Sequence, residues 1–176
     1  MMSSKPYALR TLFPALLFLM LFSGGCGYHV AGKGGALPGG VTTLSIPVFA
    51  NNTGKPDIEF TLSTAFVSEF VNTVSIVDKD AQAVMQGSIK SYTLTPISFA
   101  KNDITQEYRL TVALAVRIVR EETLEVVWED DNVVDYEDFS VNVGDVAATR
   151  DRETAALKKL SKDTARLVKE RMLEGF

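Results

Sequence analysis

The sequence predicts an α+β domain, a two-layer sandwich in which a four-stranded, mainly antiparallel sheet carries two helices on one face. Three observations lead there. Apolar and polar residues alternate along Ile104 to Arg120, the pattern of a strand with one buried face. Two other stretches, after Pro56 and after Asp145, repeat apolar residues at helical spacing. The order along the chain is strand, helix, three strands, helix, and strands joined by short turns favour antiparallel neighbours. Helices with one apolar stripe each bury it on a shared sheet face, which gives two layers.

The elements follow in order. In VTTLSIPVF, from Val41, Leu44, Ile46 and Val48 alternate with Thr43, Ser45 and Pro47. Pro47 cannot donate a ladder hydrogen bond, so it belongs at an edge or a strand end. NNTGKP reads as a turn. Pro56 and Asp57 are expected to open the first helix, because proline suits the first turn and an acid complements the helix dipole. Ile58, Leu62, Ala65, Phe66 and Phe70 form its core stripe. Val74 to Asp78 could make a short strand. Val84 to Leu94 is the second main strand, and its alternation slips near Ser91, as at a bulge. Lys101, Asn102 and Asp103 read as a hairpin tip.

In the next strand Tyr108, Leu110, Val112, Leu114, Val116 and Ile118 share one face. The opposite face holds Thr105, Glu107, Arg109, Thr111, Ala113, Ala115 and Arg117. Glu121 to Leu124 turns the chain, and Glu125 to Phe139 is the fourth strand, with Trp128 in its first half. From Asp145 a long amphipathic helix is marked by Ala156, Leu157, Leu160, Thr164, Leu167 and Val168, ending near Gly175. There is no internal repeat.

Residues 1–25 read as an export leader. Lys5 and Arg10 precede the apolar run LFPALLFLMLF (Leu12 to Phe22), and small residues Ser23, Gly24 and Gly25 follow it. The run is shorter than the roughly 20 apolar residues a membrane span needs. It leads to Cys26, the one cysteine of the chain. Small residues ending on cysteine resemble the lipobox of bacterial lipoproteins, although Ser23 stands where that motif usually has leucine. The resemblance implies cleavage before Cys26 and attachment of diacylglycerol to its sulfur. Two or three acyl chains, at about 0.8 kcal/mol per buried CH₂, would hold the protein on a membrane durably. Gly27 is not the aspartate that retains enteric lipoproteins in the inner membrane, so the pattern points to the outer membrane. Eight of the 12 glycines lie between Gly24 and Gly40. Residues 26–40 therefore read as a lipidated N-terminus and flexible tether, and residues 41–176 as the folded domain.

Composition narrows the function. The chain has a net charge of −4, and its leader carries only basic charges. An acidic domain is a poor binder of nucleic acid. The single histidine, His29, lies in the tether, and the single cysteine would be acylated. No Ser/His or Cys/His nucleophile pair can form inside the domain. GxSxG, phosphate-loop and HExxH motifs are absent. Glu129, Asp130, Asp131, Asp135, Glu137 and Asp138 crowd the fourth strand. They could offer oxygen ligands to Ca²⁺, but alternation sends neighbours to opposite faces. The simpler reading is a solvated acidic edge that discourages strand addition. Lys101 at the hairpin tip, and Arg150 and Arg152 near the start of the last helix, are candidates to receive phosphate groups.

At this point the mature chain resembles the LptE family of lipopolysaccharide-assembly lipoproteins. The matching residues are CGYHVAG, TTLSIPVFANNTGKPDIE, QGSIKSYTLTPISFAKNDITQEYRLTV, VVWE and TRDRETAALKKL. The resemblance implies a four-stranded sheet with two helices and no catalysed reaction. It implies lodging in the lumen of the β-barrel LptD, help in assembling that barrel, and binding of lipopolysaccharide during export. It carries lipopolysaccharide contacts onto Lys101 and Arg150, lipid attachment onto Cys26, and no cofactor or metal. Residence would be on the periplasmic side of the outer membrane. Two other readings stand beside it: an outer-membrane structural lipoprotein unrelated to lipopolysaccharide, and a carboxylate or Ca²⁺-dependent enzyme using the acidic strand.

Overall fold

The computed structural model describes residues 37–99, 105–141 and 144–174. After a tight turn at Pro38–Gly40 come β1 (Thr43–Ser45), β2 (Ala50–Asn51) and helix α1 (Ile58–Phe70). Then follow β3 (Ser75–Ile76), β4 (Ala83–Phe99), β5 (Thr105–Arg120), β6 (Val126–Ser140) and helix α2 (Val146–Glu174). The expected α+β class and the two helices hold. The sheet is larger than expected and mixed: its order is β3-β1-β4-β5-β6, with β2 also on β4, six strands among the described residues.

The long strands β4, β5 and β6 form the antiparallel meander that their short turns dictate. The short strands are all parallel to their neighbours. Their direction follows from connectivity. The chain leaves β1, passes through α1 and returns as β3, and a helical crossover brings it back in the same direction. Pro47 explains why the first expected strand is two. Ser45 pairs with Val84 and Ala50 with Ser88, so this edge uses one residue more than β4 does across the same gap. The proline sits in that interruption, where no donor is required. Asp57 also departs from expectation: it has φ 65° and no side-chain cap, so it ends the preceding turn and α1 begins at Ile58.

One core lies between the sheet and the helices. Leu110, Val112, Leu114, Val116 and Ile118 of β5 are buried, and Met85 and Ile89 join them from β4. Ile58, Leu62, Phe66 and Phe70 of α1 and Leu157, Leu160, Val168 and Met172 of α2 close it from above. Each such side chain contributes about 1.5–3 kcal/mol on burial. All these core residues fall between Leu37 and Met172. Phe49 lies over Gly87, where a Cβ would collide with its ring, and meets Phe66 edge-on at 4.9 Å. Ion pairs Lys55–Glu153 and Lys169–Glu69 join the two helical segments near either end, so α1 and α2 run side by side in the same direction.

Candidate functional site

Among the described residues, nothing covers the face of the sheet turned away from the helices. Register places Ser88 beside Ala115, Ser91 beside Ala113, Thr93 beside Thr111 and Thr95 beside Arg109. On the other flank Val134, Tyr136 and Asp138 stand beside Ala113, Thr111 and Arg109. The centre of this face is therefore small and hydroxyl-bearing. Two bulges meet there. Lys90 is the extra residue of β4, confirming the slip expected near Ser91, and Asp131–Asn132 interrupt the β6 ladder beside Ala115. Lys90 Nζ donates to the Asp131 carbonyl at 2.5 Å, which carries the side chain from β4 to β6 across β5. The small Ala113 and Ala115 leave room for that path.

Farther along, Arg109 donates two hydrogen bonds of 2.8 Å to Asp138, one to each carboxylate oxygen. Its guanidinium lies 4.1 Å from the centre of the Tyr136 ring. The hydrogen bonds from Arg109 hold the Asp138 carboxyl below the usual carboxylate range and raise the guanidinium in turn. Arg117 donates to Gln86 at 2.8 Å in the same plane. The acidic run of β6 divides between the two faces. Asp138 belongs to the open face, whereas Asp130, Asp135 and Glu137 turn to α2. There they receive Arg171 at 2.7 Å, the Thr164 hydroxyl at 3.0 Å, and Lys159. The expected solvated acidic edge is thus partly a seam that fastens α2 to the sheet. Among the described residues no three His, Cys, Asp or Glu side chains are placed to hold a metal ion.

The domain has two distinct ends. At the β5–β6 turn, Arg120 donates to the Gly39 carbonyl, and Leu37 and Val41 are buried beside it. Gly39 has φ 68° and Gly40 φ 74°, and a Cβ on Gly39 would lie 2.8 Å from Arg120 Nη2. The N-terminal segment is latched at this end. At the other end, about 50 Å away along β5 at 3.3 Å per residue, α2 begins. Arg150 is exposed in its first turns. Arg152 reaches back to the carbonyl and hydroxyl of Ser140 at 3.4 and 3.3 Å. Sequence analysis grouped Arg152 with Arg150 as phosphate candidates; the contact commits Arg152 to the end of β6. Lys101 and Cys26 lie outside the described residues.

A polar cluster near Arg150 escaped the sequence. Glu153 Oε1 accepts from the Tyr92 hydroxyl at 2.6 Å and from Lys55 Nζ at 2.7 Å. Burial pushes the Glu153 carboxyl up, but these two hydrogen bonds and the charges of Lys55 and Arg150 bring it below its ordinary value. Burial and the Glu153 carboxylate drive the Tyr92 hydroxyl far upward, so it remains a donor. Only a register for Tyr92 and a docking position for α2 could have shown this cluster, and neither is written in residue spacing.

Comparison with known proteins places this arrangement. The model of the LptE lipopolysaccharide-assembly family matches residues 41–172. Rare lipoprotein B from Shewanella oneidensis superimposes with a TM-score of 0.50 at 10% identity, covering 76% of this chain and 95% of that one. A Caulobacter crescentus protein gives 0.52 at 7% identity, covering 71% and 87%. A Chlamydia trachomatis protein gives 0.51 at 7% identity, covering 74% and 95%. At such identities the likeness is one of fold. No curated protein matches the chain by sequence.

Proposed function

The chain belongs to the LptE family, and from that premise we propose that it is an outer-membrane lipoprotein that lodges in the LptD β-barrel. In this reading it helps that barrel assemble and binds lipopolysaccharide during export. It acts by fit and charge and catalyses no reaction. Cys26 carries the lipid anchor on the periplasmic side.

The observation that best supports the reading is the open sheet face. Its small and hydroxyl side chains from Ser88 to Thr111 suit a polar, water-filled barrel interior, which is what the inner wall of a transmembrane barrel presents. The paired charges Arg109–Asp138 let the face enter such a space without stranding an ion. Arg150, exposed and in no side-chain hydrogen bond or ion pair among the described residues, can meet a phosphate, and Lys101 is its expected companion.

Two measurements test the parts. Capture of lipopolysaccharide by the purified protein should fall in the Lys101→Glu, Arg150→Glu double variant; undiminished capture would remove both residues from the contact. Recovery of a large β-barrel with the native protein tests the lodging itself.

A further inference from the structure

The outer face of α1 carries no charge. Its two acids are turned aside: Glu59 accepts from Asn51 at 2.7 Å, and Glu69 pairs with Lys169. What remains outward is Phe60, Thr64, Ser68 and Val71, with Phe60 56% and Val71 55% exposed. A helix that is apolar toward the core and uncharged toward solvent asks for cover on its second side.

The rim of this face is basic. A groove of about 420 Å³ between the helices is lined by Phe60, Thr61, Thr64, Ser68, Lys158 and Lys162. Elsewhere on α2, Lys159, Arg166, Lys169 and Arg171 are each matched by an acid. Lys158 and Lys162 have no acidic partner among the described residues, although they stand one helical turn apart and repel each other. The chain as a whole is acidic, at −4. Among the described residues Arg150 and Arg152 near the start of α2 also pair with no acid, but of these four only the two lysines stand beside an exposed aromatic ring.

We propose that this face rests on the surface of an anionic lipid leaflet. Phe60 and Val71 would enter the headgroup boundary, with Lys158 and Lys162 on lipid phosphates. The chemistry is that of an interfacial helix, an apolar stripe flanked by lysines. A leaflet supplies both needs at once, phosphates for the lysines and an apolar boundary for Phe60 and Val71, which stand about 16 Å apart along the helix. The proposal goes beyond the barrel reading and concerns the protein outside a barrel, whose wall would enclose the helix layer as well. The face lies on the helix layer, and the open sheet face on the opposite side stays free.

The test is co-flotation of the chain from Lys33 onward, which contains every core residue the structure describes, with vesicles. The expected result is binding to phosphatidylglycerol vesicles, none to phosphatidylcholine vesicles, and weakening by salt. With each lysine near the surface contributing roughly fivefold, the Lys158→Glu, Lys162→Glu double variant should bind about 25-fold less or worse. Phe60→Ser should also bind more weakly, and Lys79→Glu, a charge change at an exposed site elsewhere, should bind as the parent does. All four sites are exposed, so melting curves should match. Absence of flotation, equal binding by the double variant, or an equal loss in Lys79→Glu would overturn the proposal.

Discussion

Arg109 and Asp138 face each other across β5 and β6, joined by two 2.8 Å hydrogen bonds on the sheet face turned away from α1 and α2. The pair marks the edge of a patch whose middle is Ala113 and Ala115. A bulky side chain at Ala113 would stand in that patch and crowd the path of Lys90 to Asp131. Ala113→Trp should therefore lose the β-barrel partner in a pull-down. Since the position points away from the core, the isolated domain should keep its fold, losing at most about 1 kcal/mol. An intact complex would show that this face is not the one in contact.

Gly87 has a different task. It lets Phe49 lie flat on β4 beneath Phe66. Gly87→Val should push the ring away and cost about 1–3 kcal/mol, as overpacking of a tight core does. Urea denaturation of the parent and the variant checks this. A midpoint that rises would mean that strand propensity outweighs the collision.

The latch at Gly39 predicts a local effect. Alanine there must adopt a left-handed conformation, at about 1–2 kcal/mol, and it meets Arg120 and Val127. Gly39→Ala and Arg120→Ala should both speed proteolytic cleavage near Leu37 while the rest of the domain stays resistant. Unchanged cleavage would show that burial of Leu37 and Val41 holds the segment without Arg120.

The Glu153 cluster gives a dependence on pH. Its carboxyl, like that of Asp138, is lower in the folded state than the ordinary value of about 4. The stabilisation is complete above the unfolded value and fades as pH falls through about 4 toward the folded value. Stability should fall as the pH is lowered from about 5 to 3, and Glu153→Gln should flatten part of that fall while costing about 1 kcal/mol at neutral pH. Identical pH profiles, measured by urea midpoints, would remove Glu153 from the account.

Local pattern made most of the fold legible. The even residues of β5 and the stripes of α1 and α2 fall in the core because periods of 2 and 3.6 are set by the backbone itself. The slip at Ser91 was visible because a bulge shifts the alternation. The short strands at VTTLSIPVF and Val74 to Asp78 were legible too, but their parallel direction was not, since it depends on the α1 crossover. Direct contacts such as Tyr92–Glu153 and Arg109–Asp138 depend on register and helix docking, which spacing does not encode. The candidate site was legible in part. Ala113 and its row were seen to face outward, and Arg150 was placed near the start of α2, while the commitment of Arg152 to Ser140 needed coordinates.

The most direct test of the central claim is purification of tagged, full-length protein from its native membrane in gentle detergent, with mass spectrometry of what accompanies it. The expected result is a large outer-membrane β-barrel in near-equal amount, lost when Ala113 is replaced by Trp. Protein that comes out alone would contradict the lodging in LptD and leave a lipoprotein whose open sheet face meets some other surface.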